Sequence, residues 1–183
     1  LRTANEWRDS TDTTPYETLR DHLIDELGFQ VARIGHPTHT EFHPREGYVD
    51  LKDEPDDFFQ HAFAISQARF NVMGPSGPGS VSMAFGVPSG LSDSSEFQGG
   101  VNFGDAVLHR TLWDASGRKV PISERLEKGW IGQGAIRDLV ARGHIVRPNT
   151  ADELCRLANH MASVTDTGKS GYSVSYNAVR PNE

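Results

Sequence analysis

The sequence predicts an α+β fold: a single domain over residues 1–183, with an antiparallel sheet built on a central hairpin at about 101–122. Helices at 14–27, 55–70, 134–142 and 150–161 are expected to pack that sheet. Three observations carry the expectation. Two stretches open with capping-box patterns ahead of apolar residues at helical spacing. Residues 107–122 alternate about a turn of Asp114-Ala115-Ser116-Gly117, the best hairpin in the chain. A length of 183 residues suits one domain, and nine Phe, four Tyr and three Trp supply material for its core.

Residues 1–13 are polar, with Trp7 as their one anchor, and read as a loosely packed arm. Thr14-Pro15-Tyr16-Glu17 then places Thr at the cap, Pro at the first helical position and Glu three residues after the cap. Leu19, Leu23, Ile24 and Leu27 follow on one face, and Gly28 is a stop. Phe29, Val31 and Arg33 suggest a strand at 29–34, and Tyr48 to Leu51 another. Asp53-Glu54-Pro55-Asp56-Asp57 puts negative charge where a helix dipole favours it, ahead of Phe59, Phe63 and Phe70.

Residues 71–100 are expected to be loop-rich. Gly74-Pro75-Ser76-Gly77-Pro78-Gly79 is a cluster of breakers, and 71–79 is the one stretch that could be a linker. Val81, Met83, Phe85 and Val87 alternate, which predicts a strand at 80–86, and the Ser- and Gly-rich 88–100 predicts a long loop. Ser123 opens a short helix, and Ile136, Leu139 and Val140 mark the next, which ends at Gly143. A strand at 144–147 leads to Thr150-Ala151-Asp152-Glu153, the second capping box, whose helix carries Leu154, Leu157, Ala158 and Met161. Tyr172, Val174 and Tyr176 alternate as a last strand.

Composition excludes several functions. The formal charge is −7 with no long basic run, so wrapping by nucleic acid, which depends on phosphate neutralisation, is not expected. No apolar run approaches a bilayer span, so no membrane partner is expected. No signal peptide is visible, and the chain opens on Leu1, as a processed, excised or trimmed chain would. The lone Cys155 forbids an internal disulfide and any multi-cysteine zinc site. The compartment stays open between cytoplasmic and secreted.

The densest set of ligand-type side chains lies in residues 34–47, where His36, His39 and His43 accompany Glu41 and where Pro37 and Pro44 break regular structure. Imidazole and carboxylate suit zinc or iron. If the loop wraps, the three histidines bind the metal while Glu41 acts as fourth ligand or as base for a bound water. The spacing is not His-Glu-x-x-His, because Glu41 follows His39 by two residues. A polar surface loop is the competing reading. His61 and His109 are further histidines that the fold could bring to the loop.

His109, Arg110, Trp113 and Asp114 gather at the hairpin, where an arginine beside an aromatic ring suits an anionic or nucleotide ligand. The charged, exposed end of an ordinary hairpin explains them better. Gly129-Trp130-Ile131-Gly132-Gln133-Gly134 opens a helix and could face an anion, though no phosphate-loop lysine follows and a tight turn serves as well. Cys155 reads as a structural thiol, since His160 is on another helix face. The acidic residues from Asp50 to Asp57 lack calcium-loop spacing. Residues 143–158 (GHIVRPNTADELCRLA) and 173–178 (SVSYNA) resemble part of the substrate domain of flavin-dependent dehydrogenases of the fumarate-reductase kind. The flavin-binding glycine motif is absent, so the resemblance assigns no cofactor and no residue role.

The leading expectation is a small metal-assisted enzyme, of hydrolase, lyase or non-haem-iron type, acting on a small polar or anionic substrate. His36, His39 and His43 would bind zinc or iron, Glu41 would be base or fourth ligand, His109 would complete the catalytic set, and Arg110 with Arg45 would orient the substrate. Two alternatives stay open: a non-catalytic protein-binding domain using 88–100 and the hairpin end, or a secreted effector acting on a nucleotide such as NAD. No protein partner is specified.

Overall fold

A computed structural model describes residues 13–35, 39–52, 58–95 and 104–166. In chain order it has α1 (Thr14–Asp25), β1 (Val31–Arg33), β2 (Tyr48–Asp50), α2 (Phe58–Gln67), β3 (Asn71–Met73), α3 (Gly77–Phe85) and β4 (Ser89–Ser94). Then come β5 (Ala106–His109), β6 (Thr111–Trp113), β7 (Lys119–Val120), α4 (Ile122–Glu127), α5 (Gln133–Ala141), β8 (Ile145–Arg147) and α6 (Ala151–Val164). The described residues thus form a mixed α/β structure of six helices and three small sheets.

The single antiparallel sheet read from the sequence does not form. β1 and β2 pair in parallel, and so do β3, β4 and β5 in that order; only β7-β6-β8 is antiparallel. The hairpin at 111–120 exists, with Leu112 opposite Val120, but it belongs to one three-stranded sheet, separate from the two parallel ones. The run 107–113 breaks at Arg110, so Ala106–His109 joins the parallel sheet while Thr111–Trp113 joins the antiparallel one.

The cause lies in 71–95. Parallel neighbours need a crossover between them, and α3 supplies it where a strand at 80–86 was expected. Ser76 takes an extended cap conformation, Pro78 falls in the first helical turn, and Gly86 closes the helix with φ +70. The expected loop at 88–100 begins as β4, whose residues are small because α6 lies on it. A Cβ on Gly90 would come 3.1 Å from Leu157 and 3.2 Å from Met161. Residues 96–103 of that expected loop, the arm 1–12, the acidic stretch 53–57 and the strand at 172–179 lie outside the described residues.

The helices fall near their expected places, since apolar spacing reports the buried face directly. Leu19 and Leu23 of α1 meet Leu154 and Ala158 of α6 in one core cluster, ringed by Tyr16, Phe29, Phe70 and Leu108. A second cluster, Leu112, Val120, Ile136 and Leu139, joins the hairpin to α5. The Thr150 capping box is made in full: the Glu153 amide donates to Thr150 Oγ1 at 3.3 Å and the Thr150 amide to Glu153 Oε2 at 2.9 Å. At α1 the cap is Thr13, and Glu17 is turned to another use. No helix among the described residues is long and apolar enough to cross a membrane.

Candidate functional site

The histidine loop is fastened along the flank of α1. Glu17 Oε1 accepts from the His43 amide at 2.9 Å and pairs with His43 Nδ1 at 2.8 Å. Arg20 Nη1 donates to the His43 carbonyl at 2.6 Å, and Arg33 Nη1 to the Thr40 carbonyl at 2.7 Å. Arg45 bridges Asp21 and Asp25. These bonds hold the Glu17 carboxyl below its usual range, chiefly through the His43 amide and then its ring.

His39, Glu41 and His43 are exposed, and His36 lies outside the described residues. The one ring contact that the described geometry assigns to His43 is the Glu17 carboxylate. Among the described residues no group of three or more His, Cys, Asp or Glu is placed to hold a metal ion. His61 Nε2 pairs with the Leu51 carbonyl at 2.9 Å, which ties α2 to the chain after β2. Cys155 is half-buried, and burial raises its thiol, with Asp152 adding to the shift.

His109 and Arg110 belong to a different place, the carboxyl edge of the β3-β4-β5 sheet. All three strands end on this edge, because all run in parallel. Beyond Leu91 the register shifts, so Ser94 meets His109, and the extra residue forms a bulge. Asp93 in that bulge takes φ +54, which L side chains rarely adopt.

A buried polar lattice holds the bulge. Asp93 Oδ2 accepts from the Tyr16 hydroxyl at 2.7 Å, and Oδ1 from the Asn149 amide at 2.6 Å. The Asp93 amide donates in return to Asn149 Oδ1 at 2.6 Å. Asn149 Nδ2 reaches the His109 carbonyl at 3.1 Å, and Arg110 Nε lies 3.7 Å from Asp93 Oδ1. From α4, Arg125, 2% exposed, donates to the carbonyls of Arg110 at 3.2 Å and Ser95 at 3.1 Å. Burial, and then the neighbouring Asp93, lifts Tyr16 well above the usual phenol range, so it stays a donor. Burial lowers His109, so its neutral form is favoured.

On the same edge lies a feature that the sequence reading set aside as breakers. The chain leaves β3 at Met73 and enters α3 at Gly77 through Gly74-Pro75-Ser76. No side chain caps α3, and the Ser76 hydroxyl turns back to the Gly74 carbonyl at 3.2 Å. Gly74, Gly77 and Gly79 do not take positive φ. A Cβ at Gly74 or Gly77 would meet nothing within 4 Å, and one at Gly79 only the Met73 sulfur at 3.9 Å. Neither backbone conformation nor internal packing therefore asks for glycine at these positions. The signal was legible: a cap-type Ser followed by Pro in the first turn marks a helix start. By contrast, Gly129 in the other glycine-rich turn has φ +67, a conformational need that accounts for it.

The fold and this edge define a mixed α/β chain whose glycine-rich strand–helix turn opens at the carboxyl end of a parallel sheet. No family model, curated protein or solved structure matches the chain.

Proposed function

We propose that this chain binds a phosphorylated small molecule at the carboxyl edge of β3-β4-β5, over the first turn of α3. The observation that carries the reading is the set Gly74, Gly77 and Gly79, whose missing side chains serve no internal purpose. They leave backbone open to close approach from outside. Pro78 has no N–H and the Gly79 amide donates to the Ser76 carbonyl at 3.0 Å, so the anion would meet the backbone at Gly77 and the positive end of the helix dipole. Ligands of open parallel sheets bind outside the carboxyl ends of the strands. His109 ends the third strand of the same edge, while Arg110, the next residue, is buried beside Asp93 and braces the edge instead of facing a ligand. The lattice around Asp93 supports the reading by fixing the edge before a ligand arrives, which reduces the ordering cost of binding.

Titration calorimetry with pyrophosphate and a panel of nucleoside diphosphates tests this. Binding is expected in the wild type. Gly77→Ala should weaken it about tenfold or more, since a methyl group then occupies the anion's approach, while thermal stability stays within about 0.5 kcal/mol. Absence of binding at millimolar ligand, or equal affinity in Gly77→Ala, refutes the reading.

Metal-assisted chemistry at His36, His39, Glu41 and His43 is a second proposal. It rests on the density of imidazole and carboxylate side chains in that loop, whose backbone Arg20 and Arg33 clamp and whose His39, Glu41 and His43 are exposed. Stoichiometric zinc or iron in purified protein, lost in His39→Ala, would place the chemistry there.

A further inference from the structure

We propose that the tail of this chain, residues 172–179, adds a strand between β1 and β3 and joins the two parallel sheets into one. The two strands lie on one core, since Val31 of β1 and Val72 of β3 pack against the same cluster of α1 and α6. They start on the same side, where the rings of Phe29 and Phe70 meet edge to face at 5.4 Å. Yet among the described residues β1 pairs only with β2, and β3 only with β4.

The free edges of β1 and β3 turn toward one another. The Val31 N–H donates to the Gly47 carbonyl at 2.8 Å, and the Asn71 N–H to the Pro88 carbonyl at 3.0 Å, so these residues serve the β2 side and the β4 side. Peptide groups alternate in side along a strand. The N–H and C=O of Ala32 and of Val72 therefore point the other way, into the interval between the two strands. Backbone groups ask for partners, and an extended segment added to open edges supplies them. Burial agrees: no residue of β1 or β3 is buried, whereas all of β4 except Leu91 is.

The place where the chain leaves α6 selects the occupant. Arg69, the residue ahead of Phe70, donates to Thr165 Oγ1 at 3.0 Å, to the Ala162 carbonyl at 2.8 Å and to Asp166 Oδ1 at 2.9 Å. Its guanidinium also lies 5.3 Å from the Phe29 ring. The end of α6 is thus pinned where β1 and β3 begin. Residues 167–171 reach up to about 17 Å from there, enough to turn the chain into the interval. A tail that starts at this mouth runs in the direction of β1 and β3, and at about 4.8 Å from each it pairs with both. Its sequence suits the place. Tyr172, Val174 and Tyr176 alternate with Ser173 and Ser175, and no proline falls between Asp166 and Pro181. Small residues on one face are what α6 asks of β4, where Gly90 leaves room for Leu157 and Met161. The polar arm at 1–12 carries no such alternation.

Amide hydrogen exchange of the full chain, read residue by residue by NMR, tests the proposal. The Ala32 and Val72 amides should exchange at least tenfold more slowly in the wild type than in Val174→Pro, which removes a donor and breaks the added strand. The Ile136 amide of α5, bonded to the Gly132 carbonyl, should not change and separates a local effect from general loosening. Nuclear Overhauser contacts from residues 172–179 to Ala32 and Val72 are expected in the wild type. Circular dichroism checks the fold of Val174→Pro; should it fail, Ser175→Pro and the wild-type contacts decide. Wild-type Ala32 and Val72 amides that exchange without protection overturn the proposal. So does protection that survives both substitutions, which would give the interval to another segment.

Discussion

Asp93 combines three costs that a chain does not normally accept together: positive φ, burial and a carboxylate. Left-handed backbone costs an L residue roughly 1–2 kcal/mol. It is tolerated because Asp93 answers the Tyr16 hydroxyl and the Asn149 amide at once. Removing the carboxylate strands the buried Asn149 amide, at a cost of about 1–3 kcal/mol, and leaves the Tyr16 hydroxyl only Ser92 Oγ at 2.9 Å in place of a charged acceptor. Asp93→Ala should therefore lose roughly 2–5 kcal/mol in urea unfolding. Asp93→Gly should be about 1 kcal/mol less harmful than Asp93→Ala, because it relieves the backbone. Equal losses in the two variants would mean that the bulge is not strained. Nothing in the local sequence Ser92-Asp93-Ser94-Ser95 announces this role, since Tyr16 and Asn149 are brought to Asp93 from distant parts of the chain. Arg110 was chosen as an anion-facing residue, yet its side chain is buried beside Asp93, where it holds the edge from beneath.

At the scale of elements, what the sequence disclosed divides along a physical line. Helices α1, α5 and α6 bury one stripe each, so their apolar spacing was readable, and α6 carries a capping box in its own residues. Strand β4 was hidden because both its faces are covered. Its sequence, SGLSDS, has neither alternation nor bulk, since α6 leaves no room for side chains at Gly90. Helix α3 was mistaken for a strand because Val81, Met83 and Phe85 alternate with small residues, while its face toward α2 and β3 asks for little bulk. The glycine turn at 74–79 reads as breakers, although Ser76 followed by Pro78 is a legible helix start that the alternation of Val81, Met83 and Phe85 outweighed. Gly90 thus gives a prediction opposite to that for Gly77. Gly90→Ala must displace Leu157 and Met161, and should cost about 1–3 kcal/mol by the overpacking rule. Calorimetric melts of the two alanine variants compare an inward with an outward glycine. A Gly90→Ala protein as stable as the wild type would mean that α6 does not press on β4.

Across the whole molecule, acid should act on one set of groups in one direction. Asp114 is held at about 2 by the Ser116 hydroxyl first and then the Arg118 amide. Glu124 is held at about 2 by Arg118 first and then Lys128. Their ordinary values are 3.8 and 4.5. A carboxyl depressed on folding binds fewer protons in the native state than in the unfolded one, so the stability it lends is complete above its ordinary value and is lost as pH falls toward the folded value. His109 acts with the same sign by another cause: burial favours its neutral form, so the unfolded chain takes up the proton first, near its ordinary 6.5. The melting temperature should therefore fall gently below pH 6.5 and more steeply between 4.5 and 2. Asp114 and Glu124 sit in partly exposed ion pairs on the β6–β7 turn and α4, so salt should weaken the steep limb more than the gentle one. Glu124→Gln should flatten the steep limb and leave the gentle one in place, whereas His109→Gln should do the reverse. Melts at stepped pH and two salt concentrations read both limbs, and a Glu124→Gln profile that parallels the wild type below pH 4.5 would remove this carboxyl from the account.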